Sequence, residues 1–212
     1  MNVQVANYAE QIKRWPKAGQ HILAQYDDRS IIVYQAYRPS IGRFALENGC
    51  FGGDFKYSRM SWIKPNFLWM MYRSSWGTAE GQEVVLALRL RRSFFDSLLA
   101  AAVPSTFSTA SFESREAWQK AVERSNIRMQ WDPDHTPTGE PCQRRAIQLG
   151  LRGQALENFG KREILEVIDL TEFVAAQRAN ATSRRDGELL TPDERVYLPA
   201  DAAIAQKVAI DR

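Results

Sequence analysis

Residues 30–49 read SIIVYQAYRPSIGRFALENG, and this stretch decides the fold class of the chain. Ile31–Tyr37 is rich in β-branched and aromatic side chains, which predicts a strand. Pro39 and Ser40 suit the first turn of a helix, and Gly49 suits the left-handed position just beyond its end. We therefore expect a strand that feeds directly into a proline-started helix.

Working outward from this pair, apolar spacing predicts further short strands and helices in irregular order. Pro65 is expected at the first position of a buried helix, and Ser114 is expected to cap another. The expected strands are 21–25, 83–90, 127–131, 146–151 and 164–170, and the expected helices are 66–73, 94–99, 114–122, 154–159 and 171–181. Because strands and helices do not alternate regularly, we predict a single α+β domain with a mixed or antiparallel sheet and short helices.

Composition divides the chain along its length. Residues 1–23 are polar and are expected to form an irregular lead-in, and the domain itself is predicted to span residues 24–182. Residues 183–212 follow a charged break and are expected to be a loosely attached C-terminal extension. Residues 132–141 contain three prolines, so we expect a loop there that leaves His135 exposed.

The overall composition is that of an ordinary folded protein, with 44% hydrophobic and 25% charged residues. The formal charge is only +3 and the pI is near 8.9, which permits a phosphate-bearing or nucleic-acid partner without requiring one. Apolar runs fall short of the roughly 20 residues that span a bilayer, so no membrane association is expected. Two isolated cysteines, Cys50 and Cys142, and a polar N-terminus predict a cytoplasmic protein without a metal site.

The segment FKYSRMSWIKPNFLWMMY, residues 55–72, is the strongest candidate for a ligand site. Cations suit phosphate groups and ring faces suit the stacking of a base, so this mixture predicts a nucleotide ligand. The alternative is that the rings are core and the cations lie at its rim. The residues that we single out are Lys56, Arg59, Lys64, Trp62 and Tyr72.

Polar residues at the ends of predicted strands are further candidates, because loops at strand ends often carry function. Gln35 and Arg38 can hydrogen-bond an amide or a phosphate, and they lie beside Tyr34 and Tyr37. The alternative for each is a packed or solvated residue with no further role. The remaining strand-end candidates are Glu83, Gln148, Glu163 and Glu166.

Five runs carry a resemblance to a known family: VYQAYRPSIGRFALENGCF, RMSWIKPNFLWMMYRSSW, GQEVVLAL, QWDPD and RRAIQLGL. On these motifs the chain is similar to the bacterial, fungal and viral family catalogued as domain of unknown function 4291. The resemblance covers approximately residues 24–174. It implies one fold unit and no particular activity.

The order of the motifs also resembles the NAD-dependent ADP-ribosyltransferases of the DNA-targeting toxin kind. Those proteins have a strand ending in Tyr-His-x-Thr, a helix ending in glycine, an arginine, a short helix, and Gly-Gln-Glu before an apolar strand. Residues 34–37, 64–69 and 81–83 follow in the same order here. The resemblance implies a split sheet, NAD as the ligand, and nucleic acid or another molecule as the acceptor.

This second resemblance also implies roles for individual residues. Gln35 replaces the histidine that grips the nicotinamide ribose, and Lys64, or Arg59 instead, replaces the arginine. For the late catalytic glutamate the sequence offers Gln148, with Glu163 or Glu166 as alternatives. The alternative function is a non-catalytic module that binds RNA or DNA through the basic aromatic segment. The residues expected to hold NAD are Tyr34, Tyr37, Arg38, Arg59, Trp62, Tyr72 and Glu83.

Overall fold

The structure is a computed structural model that describes residues 2–108 and 111–211. Within these residues the strands are β1 (Val5–Asn7), β2 (Gly19–Gln20), β3 (Ile22–Ala24), β4 (Ser30–Tyr37), β5 (Ser61–Ile63), β6 (Val84–Arg91), β7 (Val103–Pro104), β8 (Ile127–His135), β9 (Pro141–Leu151), β10 (Ile164–Asp169), β11 (Leu190–Pro192) and β12 (Arg195–Tyr197). The helices are α1 (Tyr8–Gln11), α2 (Pro39–Asn48), α3 (Phe67–Ser74), α4 (Arg92–Ala101), α5 (Arg115–Arg124), α6 (Gly153–Asn158), α7 (Thr171–Thr182) and α8 (Ala202–Lys207), and a π-helix (Phe159–Glu163) continues α6. This irregular order confirms the α+β class.

Two sheets form the centre of the molecule. The first is antiparallel with strand order β10-β6-β4, and β4 pairs with β6 along its whole length. The second has the order β2-β9-β8-β7, and β5 also pairs with β9. Its β2–β9 and β7–β8 pairs are parallel, whereas β8–β9 and β5–β9 are antiparallel. The prediction of mixed and antiparallel pairing is therefore confirmed.

Both faces of the first sheet are buried. In β4, Ile31 and Val33 belong to the apolar cluster shared with the second sheet and α4. Ile32 and Tyr34 belong to a different cluster, shared with α3 and α7. Successive side chains of a strand point to opposite faces, so a sheet that is covered on both sides requires nearly continuous apolar strands. This explains why β4 and β6 are unbroken apolar runs in the sequence.

The helix that follows β4 has its predicted boundaries. Pro39 occupies the first turn of α2, and Gly49 ends the helix with a φ of 67°. The prediction for α5 also holds, because the Ser114 side chain accepts the Ala117 N–H at 3.1 Å. Among the described residues, none of the helices combines the length and the apolar character needed to cross a bilayer.

The start of α3 differs from its prediction. Pro65 lies outside the helix, and Asn66 is the cap. The Asn66 side chain accepts the Trp69 N–H at 2.6 Å, which satisfies one of the amide groups that a helix leaves free at its start. Proline has no side-chain acceptor and cannot cap a helix, so the first helical residue is Phe67, two residues after Pro65.

Half of the predicted loop at residues 132–141 is strand. β8 continues to His135 and β9 begins at Pro141, so only a short turn joins them. Pro133 is exposed within β8, and the strand pairing shifts register between Pro133 and His135. Proline is tolerated at such an irregularity, which is why it did not end the strand here.

Both chain ends pack into the folded domain, in contrast to the expected lead-in and loose extension. β1 pairs with β11, and β3 pairs with β12. Leu189 and Tyr197 are fully buried, and the Asp211 N–H donates to the Gln20 carbonyl at 2.9 Å. The expected strand at residues 21–25 is confirmed as β3. β1, β11 and β12 were not predicted, because strands of three residues that pair across almost the whole chain leave no periodic signal of their own.

Candidate functional site

The two sheets meet at the end of β4. The Tyr34 N–H donates to the Lys64 carbonyl at 2.7 Å, which joins β4 to the residue just after β5. β5 in turn pairs with β9 of the second sheet. A cleft of about 790 Å³, which we call the first lobe, opens at this junction. Its lining includes four glutamines and the charged residues Arg59, Lys64, Arg73 and Asp132.

Lys64 is the most unusual of these side chains. It is only 6% exposed, and in the described part of the chain no carboxylate forms an ion pair with it. Burial lowers the pKa of Lys64 to about 8, with repulsion from Arg73 adding to this effect and attraction to Asp132 opposing it. A buried cation without a counter-ion is costly, and a perturbed lysine in a cleft is a candidate for binding an anion.

Gln35 lies in the wall of the first lobe. Its Nε2 donates to Ser61 Oγ at 2.8 Å and to the Trp62 carbonyl at 3.0 Å, and the Tyr37 hydroxyl shares a 2.8 Å hydrogen bond with Ser61 Oγ. Because a carbonyl can only accept, the Trp62 oxygen fixes the orientation of the Gln35 amide. Gln35 Oε1 is then buried without a partner among the described residues, which leaves an acceptor in the wall.

Asp132 is an acid of the first lobe that sequence patterns did not reveal. Its Oδ1 accepts from Gln130 Nε2 at 2.8 Å, and its Oδ2 accepts from Gln148 Nε2 at 2.6 Å. Gln130 and Gln148 are directly opposite in the β8–β9 ladder, so the three side chains share one face of the sheet. The predicted candidate Gln148 therefore lies in the lobe as the partner of an acid. The missed signal was the alternation of Gln130 and Asp132, which continues the strand past Trp131.

Three nearly parallel rings stack beside the first lobe. The His135 ring centroid lies 3.6 Å from that of Tyr72 and 5.0 Å from that of Trp69. The expectation that His135 is exposed was wrong: the extended β8 carries it under α3, where it is 6% exposed and burial lowers its pKa. Tyr72 is 45% exposed, so one ring of the stack is open to a planar ligand group.

A second lobe of about 480 Å³ continues the cleft past Tyr37, Arg59 and Ser61, which border both lobes. It adds the exposed cations Arg38 and Lys56 and one exposed carboxylate, Asp54, so with Arg59 the lobe has three cations and one acid. Within residues 2–108 and 111–211, none of the cations of the two lobes forms an ion pair or a side-chain hydrogen bond. The first turn of α2, which follows Arg38, contains no acidic side chain. This end of the cleft is therefore suited to anions.

Four predicted site residues do not line the lobes. Glu166 forms an ion pair with Arg89 at 3.0 Å. Glu163 forms an ion pair with Arg91 at 3.4 Å, at the far end of β6 from the cleft, about 23 Å along the strand. Glu83 accepts the Gly81 N–H at 2.7 Å and shapes the turn before β6. Tyr34 is fully buried in the core on the opposite face of β4 from Gln35. The structure thus brings the other candidates together in the lobes and leaves these four outside them.

Comparisons with known proteins place the chain in a family. A search of curated proteins finds no significant match, so the likeness to ADP-ribosyltransferases rests on the order of sequence motifs alone. A family model described as domain of unknown function (DUF4291) matches residues 21–197, and this range includes both lobes and β12. Because the match covers well over half of the chain, the protein belongs to the DUF4291 family.

Proposed function

We propose that the cleft binds NAD and that the protein transfers ADP-ribose from NAD to an acceptor. The observation that carries this proposal is Lys64, a buried lysine in a polar cleft with no counter-ion in the described part of the chain. Arg59 and Arg73 line the same lobe. A pyrophosphate brings two negative charges, and charge-assisted hydrogen bonds from lysine and arginine to phosphate oxygens are among the strong ones.

The other side chains of the first lobe suit the sugar and the base beside a pyrophosphate. The amide of Gln148 can bind ribose hydroxyls, and the exposed ring of Tyr72 can stack on a planar group. NAD supplies a C–N bond between ribose and nicotinamide, which breaks so that nicotinamide leaves with the electron pair. The nucleophilic atom of the acceptor forms a new bond to the same ribose carbon. The Asp132 carboxylate stabilises the positive charge that develops on the ribose and accepts the proton that the acceptor loses.

A thermal-shift titration tests the binding step. Free NAD at about a hundred times its dissociation constant stabilises a protein by about 2.7 kcal/mol. We expect a shift with wild-type protein and its loss in Lys64→Ala. Lys17→Ala is the matched control, because Lys17 is exposed and lies outside both lobes. Equal shifts in wild type and Lys64→Ala would remove the phosphate contact, and no shift in wild type would remove NAD as the ligand.

Nicotinamide release from NAD tests the catalytic step. Asp132→Asn keeps the size of the side chain but removes its negative charge. With its amide turned so that the oxygen faces Gln130, the asparagine still accepts the hydrogen bond from Gln130 Nε2. We expect it to bind NAD and to release nicotinamide at least about 100-fold more slowly than wild type. Release at the wild-type rate would show that another group stabilises the transition state.

A second candidate function, binding of RNA or DNA, is favoured by the unpaired cations Arg38 and Lys56 in the second lobe. A nucleic-acid strand carries more phosphates than one pyrophosphate, so it can neutralise the cations of both lobes. For single-stranded nucleic acid, a plot of log affinity against log salt concentration has a slope of about −0.7 per phosphate contact. We therefore expect the double variant Arg38→Ala/Lys56→Ala to reduce the magnitude of this slope by about 1.4. Affinity that does not depend on salt would contradict this function.

A further inference from the structure

A buried carboxyl group from the C-terminal segment lies at the start of the helix that lines the cleft. Glu194, between β11 and β12, is 2% exposed, and its Oε1 accepts the N–H of Phe67, the first residue of α3, at 2.8 Å. Asn66 accepts the Trp69 N–H at 2.6 Å. Together the two side chains satisfy two of the amide groups that a helix leaves free at its start.

The same carboxyl group reaches the strand that carries Gln35. The hydroxyl of Tyr34 faces Glu194 in the core, although no hydrogen bond of ordinary geometry to any described residue is formed there. The main chain of Tyr34 binds the Lys64 carbonyl at 2.7 Å. Glu194 therefore binds the backbone of Phe67 at the start of α3 and lies beside the side chain of Tyr34, whose backbone binds Lys64.

Glu194 is itself fixed by the N-terminal part of the chain. Its N–H donates to Gln11 Oε1 at 2.9 Å, and its carbonyl accepts from Trp15 Nε1 at 2.8 Å. Gln11 Nε2 also donates to Thr191 Oγ1 at 2.8 Å. Because these contacts come from α1, the loop after it and β11, the position of Glu194 does not depend on α3. It is a fixed point against which the start of α3 is placed.

We propose that Glu194 is a positioning residue for the cleft, because its carboxyl group fixes the first turn of α3 against β4. This places Lys64 just before the helix, and Trp69 and Arg73 on it, around the ligand. The expected effect on NAD affinity rests on the proposed function. The expected effect on α3 rests on the contacts alone.

Burial raises the pKa of Glu194 well above its ordinary value, and the N–H of Phe67 opposes this effect. A carboxyl group that keeps its proton has one donor and one acceptor, and a glutamine amide offers both as well. Glu194→Gln is therefore the conservative variant that we expect to keep two contacts, the hydrogen bond from the Phe67 N–H and the packing beside the Tyr34 hydroxyl. Glu194→Ala removes them.

Hydrogen exchange and NAD affinity together test the proposal. We expect Glu194→Ala to increase amide exchange in residues 67–74 and to weaken NAD binding by about tenfold each, since the loss of a helix cap costs about 1 kcal/mol or more. Glu194→Gln is expected to have nearly the amide exchange and the NAD affinity of the wild-type protein. Thr191→Val is the matched control, because it breaks the hydrogen bond to Gln11 in the same network and leaves the contact with Phe67 in place.

Two results would overturn the proposal. The first is wild-type exchange of α3 in Glu194→Ala, and the second is a loss of NAD affinity in Thr191→Val as large as in Glu194→Ala. If Glu194→Ala does not fold, Glu194→Met replaces it, because methionine keeps the volume and lacks the two oxygens. Absence of NAD binding in wild type would remove the proposed function alone, and the exchange comparison would still decide the role of Glu194.

Discussion

Lys64 is a side chain whose placement works against the stability of the fold around it. Its ammonium group is buried, and its lowered pKa expresses the cost of keeping the charge there. Lys64→Met has a similar length and no charge, so we expect it to raise the free energy of unfolding by about 1–3 kcal/mol at neutral pH. Urea unfolding measures this, and the exposed Lys17→Met is expected to change it by less than about 0.5 kcal/mol. A destabilised Lys64→Met would mean that the ammonium group stabilises the fold.

The lowered pKa of Lys64 also gives the cleft a pH dependence. The ordinary pKa of 10.5 falls to about 8 in the folded protein, so between these values the unfolded chain binds more protons and stability rises with pH. The phosphate ligand binds the protonated lysine, so NAD affinity is expected to fall as the pH rises through about 8. The charged groups that act on Lys64 are Arg73 and Asp132.

Isothermal titration calorimetry with NAD from about pH 7 to about pH 9.5 measures this fall in affinity. Lys64→Arg is the control. Because arginine remains charged throughout this range, the affinity of this variant for NAD should not fall near pH 8. An affinity that falls equally in wild type and Lys64→Arg would assign the pH dependence to another group.

The sequence identified the cations of the cleft better than its acid. Lys64 and Arg59 lie among aromatic residues, and that mixture is visible without a structure. Asp132 lies between Trp131 and Pro133, and the proline made the end of a strand look like a loop. Glu163 was a reasonable acid candidate at a strand end, but only the strand pairing shows that it faces Arg91.

Among the helices, α2 packs against β6 so closely that only glycine fits at the contact. A Cβ atom at Gly42 would lie 2.4 Å from Cγ1 of Val84. We expect Gly42→Ala to destabilise the protein by about 1–3 kcal/mol, although alanine favours helices, and Val84→Ala to relieve part of this cost in the double variant.

Gly49→Ala is the comparison for this contact. Gly49 has a φ of 67° and open space around the position of a Cβ atom. We therefore expect Gly49→Ala to lower the free energy of unfolding by only about 1–2 kcal/mol, through backbone strain. Val84→Ala should give Gly49→Ala no relief. Equal relief of both glycine variants by Val84→Ala would contradict the close contact at Gly42.

Elements with strong local signals were predictable, and elements that depend on distant partners were not. β4 and α2 have continuous β-branched residues, a proline and a terminal glycine, all within 20 residues of sequence. β1, β11 and β12 have three residues each, and they are strands only because a partner lies beside them. The preference of a short segment is weak compared with such tertiary pairing, so patterns along the sequence cannot reveal it.

At the scale of the whole molecule, the C-terminal segment completes the core. A chain that ends at Thr182 would lose the buried side chains of Leu189 and Tyr197 and the contact of Glu194 with α3. We expect this truncated protein to lose its cooperative thermal transition, monitored by circular dichroism in the near ultraviolet. A cooperative transition close to that of the full chain would show that residues 183–212 are dispensable.

The pairing of the two chain ends has a consequence for synthesis on the ribosome. β1 cannot find its partner until β11 has been made, and β3 must wait for β12. At about 5–20 residues per second, the interval between Val5 and Pro192 is roughly 10–40 s. During this interval β1 and β3 lack the strands with which they pair in the folded protein. A chain released early by a truncating mutation would remain open and would be a target for proteolysis.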